Sequence, residues 1–212
     1  MSFRCLIVSE KGRSYFCVST ASGRSEKCFV SFKFSNVMAK RAAVLAVDPV
    51  NGMGLFEYLE TFYENGVGYE VFAVSDTTDI RTNSGVRLRA DDTVGNLRGR
   101  SDDFDALVFA CGDAVPLFAQ HASEPHNVAL LDVIREFAAK DKVLVGHCAA
   151  AMIFSLAGVC EGRRVAVHPQ AAPAVAPAVV ADEAWAADGN FFTARNEHAV
   201  EALLPAVLNA LK

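Results

Sequence analysis

Cys148 is the residue of this chain best placed to do chemistry, because it stands between a strand pattern and a helix pattern. The apolar run 143–146 predicts a buried strand, and residues 149–157 favour a helix. A turn after a central strand lies at the carboxyl edge of a parallel sheet, where α/β proteins bind ligands. Gly146 and the alanines 149–151 are small enough for the tight turn that presents a nucleophile. The helix start would favour the thiolate; the alternative is a buried structural cysteine that packs as a small hydrophobe.

Two histidines accompany this cysteine in different ways. His168 follows the strand pattern 164–167, so it should reach a sheet edge, where an imidazole could accept the thiol proton and pair with the thiolate. Alternatively, a histidine before a proline is a turn residue. His147 adjoins Cys148, but successive side chains diverge at such a turn, so we expect it to pack or hydrogen-bond rather than act as the base.

Gly112 ends the strand pattern 106–110 and is a candidate for binding an oxyanion. A glycine there lets backbone amides approach a ligand closely. Together with the amide of Ala149 it could form an oxyanion hole. The alternative is an ordinary turn glycine.

The elements that must position these residues alternate between strand and helix patterns from Ala42 onward. This order predicts an α/β fold with a mostly parallel sheet covered by helices on both faces. Strands are predicted at 43–47, 69–74, 106–110, 143–146, 164–167 and 191–193, with a short hairpin arm at 86–90. Helices are predicted around Leu55 to Tyr63, over 128–139, and from a cap at Asn196 to Leu211. Residues 170–187, rich in Ala, Pro and Val, predict an irregular crossover.

Composition excludes several classes of function. A net charge of −5 gives no reason to expect a nucleic-acid partner, and no apolar run approaches the length of a membrane span. The cysteines, at 5, 17, 28, 111, 148 and 160, include no CxxC pair, so neither a metal site nor a disulfide framework is predicted. We expect a soluble protein without a cofactor, in a reducing cytoplasm.

Residues 1–37 differ from the rest of the chain, because they are basic, rich in serine and without a sustained period. Such a composition is typical of an organelle transit segment. The second interpretation, which we favour, is that Met38 is the true start, since the first clear strand follows it. We therefore expect residues 1–37 to be poorly ordered and residues 38–212 to form one domain.

Three separated motifs together resemble the ThiJ/PfpI superfamily, also called the DJ-1/PfpI family. They are Gly-His-Cys-Ala-Ala at 146–150, Val-Ala-Val-His-Pro at 165–169 and Ala-Cys-Gly-Asp at 110–113, and the resemblance runs from about Arg41 to Leu211. It implies a flavodoxin-like, class I glutamine amidotransferase-like three-layer α/β/α sandwich. It also implies that Cys148 is the nucleophile, that His168 is its partner, that Gly112 and Ala149 form the oxyanion site, and that the chain is a homodimer.

Two departures limit what the resemblance implies. Many relatives carry an acid in the loop after the first strand, but Gly54 stands at that position here, with Asp48 and Glu57 nearby. Glu57, Asp113 and His147 are therefore only accessory candidates. The second departure is His168-Pro169-Gln170, where glutamine amidotransferases have His-x-Glu, so glutamine hydrolysis is not expected.

The first hypothesis is a cysteine-dependent hydrolase or lyase that acts on a small electrophilic carbonyl, amide or nitrile-like substrate. Glyoxalase or deglycase chemistry fits, whereas nothing marks a peptide-binding groove. The second is a redox-responsive or chaperone-like stress protein in which Cys148 oxidises without turnover. A third, the sensing domain of a transcription regulator, is weakened because no DNA-binding pattern is found.

Overall fold

The computed structural model describes residues 5–10, 13–18, 40–113 and 115–212. Its N-terminal unit contains two strands, β1 (Cys5–Glu10) and β2 (Arg13–Val18), which pair antiparallel. We predicted no regular element here, so this pairing adds to what the sequence indicated. The remaining residues of 1–39 lie outside the described residues, and the interpretations of the segment as disordered, as a transit peptide or as a wrongly assigned start stay predictions.

The second unit is organised around a seven-stranded sheet. The strands are β3 (Arg41–Val47), β4 (Gly68–Val74), β7 (Asp92–Thr93), β8 (Ala106–Ala110), β9 (Val143–His147), β12 (Trp185–Asp188) and β13 (Phe191–Ala194). Their order in the sheet, β12-β13-β9-β8-β3-β4-β7, is parallel throughout except at β12. Taken from β4 to β13, this is the flavodoxin-like order 2-1-3-4-5, whose ligand site lies where the connections diverge, between β3 and β8.

Helices cover the sheet in two groups, which confirms the three-layer prediction. Helices α1 (Gly52–Glu64) and α5 (Val200–Ala210) pack together, while α3 (Pro125–Ala139) contacts both α2 (Val94–Leu97) and α4 (Ala150–Leu156). Two small ribbons lie outside the main sheet, β5 (Asp79–Arg81) with β6 (Arg87–Arg89) and β10 (Arg164–Val165) with β11 (Val179–Val180). Short 3-10 helices occupy Ser101–Asp103, Val115–Gln120, Pro169–Ala174 and Glu197–Ala199.

The central strands are apolar along their whole length because both faces of the sheet are covered. All five residues of β8 are buried, as are six of the seven residues of β3. This is why an uninterrupted apolar run, rather than an alternating one, predicted them correctly. Among the described residues no helix is long and apolar enough to cross a membrane.

The predicted strand 164–167 is wrong at its second half. Only Arg164 and Val165 form a strand, and they pair with β11 rather than with the main sheet. The amide of Ala166 donates to the side-chain oxygen of Thr193 at 2.8 Å, so a side chain replaces the expected ladder bond. The expected crossover over 170–187 is correspondingly more regular than predicted, since it holds β11 and part of β12.

The predicted side-chain cap at Asn196 is also wrong. Its side chain makes no capping hydrogen bond, and a 3-10 turn separates it from α5, which begins at Val200. Asn196 instead lines the pocket beside Cys148.

The close contact between β9 and α4 yields a test of stability. A Cβ added at Gly146 would stand 2.4 Å from the Cβ of Ala150, so Gly146→Ala is expected to lower the free energy of unfolding by about 1–3 kcal/mol through overpacking. Urea unfolding followed by circular dichroism measures it. Gly95→Ala is the matched control, because its new Cβ would have no atom nearer than 3.9 Å and should cost nothing. Equal stability of the two variants would contradict this packing.

Candidate active site

Cys148 occupies a strained turn at the end of β9. Its φ is +58°, a left-handed conformation that costs a non-glycine residue about 1–2 kcal/mol. Two main-chain hydrogen bonds hold it, from the Cys148 amide to Ala194 O at 3.0 Å and from the His168 amide to Cys148 O at 2.9 Å. The residue pattern predicted this turn, and the backbone has the geometry of a nucleophile elbow.

Four strand ends meet around the sulfur and enclose a pocket of about 590 Å³. Asn51 comes from the loop after β3, Cys111 and Gly112 follow β8, Cys148 and Ala149 follow β9, and Glu197 follows β13. His168 and Gln170 close another side. The pocket lining is completed by Asn83, Asp113, Met152, Ala171, Asn196 and His198.

The ionisable group with the largest effect on Cys148 is a second cysteine. The buried thiol of Cys111 interacts with the Cys148 sulfur, and this interaction is the largest cause of a lowered pKa at Cys148; the thiol also donates to Gly112 O at 3.9 Å. Desolvation opposes the lowering, and the amide of Ala149 adds to it. The same interaction, followed by burial, raises the pKa of Cys111 well above its usual value, so Cys148 ionises before Cys111. In the sequence, Cys111 is part of a family motif, but no role was predicted for it.

The two predicted oxyanion-site residues, Gly112 and Ala149, both line the pocket. Gly112 is required by space, since a Cβ there would lie 2.1 Å from Pro49 O. The amide of Ala149 lowers the pKa of both Cys148 and Cys111, and the amide of Gly112 lowers that of Cys111. Both amides therefore favour negative charge at this end of the pocket, which is what an oxyanion site requires.

His168 reaches the site mainly through its backbone. Its amide binds Cys148 O, and its side chain lines the pocket, but its Nδ1 accepts the Gln170 amide at 3.3 Å. With Nδ1 used as an acceptor, the neutral imidazole carries its proton on Nε2, which can donate a hydrogen bond. Among the described contacts, Cys111 and not His168 stabilises the Cys148 thiolate.

His147 is a buried packing residue, as predicted, and it explains Gly54. Its Nδ1 lies 3.3 Å from the Tyr58 hydroxyl, and its Nε2 has no hydrogen-bond partner. Burial lowers the pKa of His147 to about 4 and raises that of Tyr58, so both stay neutral. A Cβ at Gly54 would stand 2.5 Å from the His147 ring. The volume that an acidic side chain would need at position 54 is therefore filled by imidazole.

The acidic groups near Cys148 come from elsewhere. Asp113 and Glu197 both line the pocket, and the charge of each acts to raise the pKa of Cys148. Glu57 lies on α1 and is not among the pocket residues, so it is not brought to the sulfur. The sequence analysis did not single out Glu197, although its position shortly after a parallel strand could have marked it. Among the described residues, no three His, Cys, Asp or Glu side chains are placed to hold a metal ion together.

Several known proteins are similar to this chain in sequence or in fold. Protein ppBat of Bacteroides thetaiotaomicron is 57% identical over 175 residues, which are 82% of this chain and all of that protein. The crystal structure of a candidate protease I from the same organism superimposes with a TM-score of 0.81 at 56% identity, covering 82% of this chain and 100% of that one. DJ-1beta of Drosophila melanogaster matches with a TM-score of 0.71 over 82% of this chain and 91% of its own, but at 18% identity it shows the fold alone.

The fold and the site define an α/β protein with a cysteine elbow at the carboxyl edge of a flavodoxin-like sheet. The sequence model of the DJ-1/PfpI family matches residues 40–210. The chain belongs to the DJ-1/PfpI family, which confirms the resemblance.

Burial of neutral His147 makes stability depend on pH. Because its pKa falls from 6.5 to about 4 on folding, the unfolded state binds more protons between those values. The stability due to this group is fully present above about pH 6.5 and is lost as the pH falls through 4, by an amount of about 3 kcal/mol. Urea unfolding of the native protein and of His147→Gln from pH 7 to 4 measures it. Parallel pH profiles for the two proteins would exclude His147 as the cause.

The contact between Gly54 and His147 predicts non-additive mutations. Gly54→Ala alone should destabilise by about 1–3 kcal/mol, because the new methyl group overlaps the ring. In a His147→Ala background the same change should cost much less, since the ring is gone. A double-mutant cycle by urea unfolding measures the coupling. Additive costs would show that the two residues are not in contact.

Proposed function

We propose that this protein is a cysteine-dependent hydrolase or lyase that acts on a small electrophilic carbonyl, amide or nitrile-like substrate. The observation that carries the proposal is the Cys148 elbow, where a lowered pKa, a left-handed backbone and a pocket coincide. A lowered pKa increases the fraction of thiolate, which is the nucleophilic form of the residue.

The chemical step uses groups already in place. The Cys148 thiolate adds to the electrophilic carbon, and the carbonyl electron pair moves to oxygen. The amides of Ala149 and Gly112, which favour negative charge in the resting site, stabilise that oxyanion as charge leaves the thiolate. The Nε2–H of His168 donates a hydrogen bond to that oxygen or, for an amide, to the leaving nitrogen, and a water molecule supplies the proton that this atom takes up.

The pocket favours a small and polar substrate. Its volume of about 590 Å³ is in the range of small-molecule sites. Its lining holds the amide side chains of Asn51, Asn83 and Asn196 together with the carboxylates of Asp113 and Glu197. These groups match a hydroxylated or amino-bearing molecule better than an anionic one.

The expectation that the chain forms a homodimer also stays a prediction.

A redox role is the second candidate. The observation that favours it is the thiol of Cys111 beside the reactive sulfur.

Peptidase activity has the support of one relative's name, candidate protease I. A peptide substrate is therefore tested beside the small molecules.

The pH dependence of Cys148 alkylation by iodoacetamide tests the nucleophile. We expect selective reaction with a midpoint below the roughly 8.5 of a free thiol. Cys111→Ala should move the midpoint upward, because it removes the strongest donor to the thiolate, whereas His168→Ala should move it little. Intact mass counts the alkylated thiols, and Cys148→Ser is the control. A Cys148 that stays inert in the folded protein while other cysteines react would overturn the proposal.

Turnover is then measured with small aldehydes, amides, nitriles and a peptide mixture. The proposal predicts product formation from one of the small-molecule classes and none with Cys148→Ser. His168→Ala should slow turnover while leaving alkylation intact, since His168 donates a hydrogen bond to the charge that develops after attack. Turnover of the peptide mixture alone would replace the small-molecule proposal with a peptidase.

A further inference from the structure

The register of two neighbouring strands brings two cysteines to the same edge of the sheet. Phe109 of β8 pairs with Gly146 of β9 in parallel, so Cys111 and Cys148 each lie two residues beyond this pair, just past the strand ends. Neighbouring strands are about 4.7–4.9 Å apart, and disulfides need Cα atoms about 4.4–6.8 Å apart, so adjacent strand ends suit such a bond. Both cysteines line the same pocket, and each thiol shifts the pKa of the other, which places the two sulfurs close together.

The immediate surroundings of the two sulfurs favour reaction between them. The amide of Ala149 lowers the pKa of both cysteines. Their access differs, however, because Cys111 is 1% exposed, while Cys148 is half-buried at the pocket. A small oxidant therefore reaches Cys148 first, and Cys111 meets only what has formed on Cys148.

We propose that Cys111 is a resolving thiol, which converts a sulfenic acid formed on Cys148 by a hydroperoxide into a Cys111–Cys148 disulfide. In the first step the Cys148 thiolate attacks the peroxide, the O–O bond breaks, an alkoxide or hydroxide leaves, and the sulfur is oxidised by two electrons. In the second, Cys111 sulfur attacks Cys148 sulfur, the S–O bond breaks, and the Cys111 proton leaves with hydroxide as water. A dithiol reductant converts the disulfide back into two thiols by thiol–disulfide exchange. The proposal rests on the nucleophilic Cys148 of the proposed function and goes beyond it.

The charges around the site favour this product over further oxidation. A sulfinate is an anion, and the carboxylates of Asp113 and Glu197 already act against negative charge on Cys148. The volume at position 54, where a protonated acid could have donated to a sulfinate, is filled by the His147 ring. The disulfide carries no charge, so the carboxylates do not disfavour it and it needs no acid at position 54.

The test treats the full chain with hydrogen peroxide and maps the products by mass spectrometry without reduction. Trypsin separates Cys111, in peptide 101–135, from Cys148, in peptide 143–163, which also holds Cys160. A Cys160→Ala background removes that ambiguity, since Cys160 is buried and does not line the pocket. We expect the cross-linked pair of peptides as the main product, and its loss on adding dithiothreitol.

Cys111→Ser is the decisive variant, because its hydroxyl keeps a donor beside Cys148 but cannot form a disulfide. It should accumulate sulfenic acid that dimedone traps, several-fold above the native protein, and pass on to sulfinic acid. Cys148→Ser should give neither product. Direct sulfinate formation in the native protein, or a disulfide from Cys148 to another cysteine, would overturn the proposal.

Failure of the resolving role and failure of the proposed function give different results. If alkylation shows a reactive Cys148 but no Cys111–Cys148 disulfide forms, the nucleophile stands and only the resolving role of Cys111 fails. If the disulfide forms but no substrate is turned over, the resolving role stands and the proposed hydrolase or lyase fails.

Discussion

The left-handed backbone of Cys148 is the constraint on which the site depends. A cysteine does not adopt this conformation without support, and here hydrogen bonds to Ala194 O and from the His168 amide hold it from two sides. The first bond exists because β9 pairs with β13, which ends at Ala194, and the second comes from the segment that follows β10. Gly146 matters for the same reason, since any side chain there would push α4 away from the turn. The sulfur thereby projects to the point where four strands end.

The groups that surround the Cys148 sulfur do not include an acidic side chain from α1. The buried ring of His147 fills the volume next to Gly54, so an acidic side chain at position 54 would have no room. His168 uses Nδ1 to accept an amide of its own turn. The groups that stabilise the thiolate are Cys111 and the amide of Ala149. A neutral thiol thus does what a carboxylic acid or an imidazolium would do elsewhere, without adding charge to a pocket that already holds two carboxylates.

The sequence predicted what depends on local pattern. Apolar runs between turn residues predicted β3, β8 and β9, and small residues around Cys148 predicted the elbow, which the fold confirms. The errors fall where a long-range contact replaced a local one: Thr193 takes the amide of Ala166 and shortens the strand before His168, and Asn196 faces the pocket instead of capping α5. The pairing of Cys111 with Cys148 depends on the register of β8 and β9, which no residue pattern specifies.

One contact gives Cys148 both its reactivity and its weakness toward oxidants. The Cys111 thiol lowers the pKa of Cys148 because it interacts with the sulfur, and the strand register that allows this also sets the two cysteines at neighbouring strand ends, where a disulfide can form. A serine at position 111 would keep the first property and lose the second, and an alanine would lose both. Thiolate stabilisation alone therefore does not require a cysteine there. Cysteine is the one residue type at this position that combines a neutral donor with a reversible covalent partner, so the choice of donor links nucleophilic chemistry in this pocket to the redox state around it.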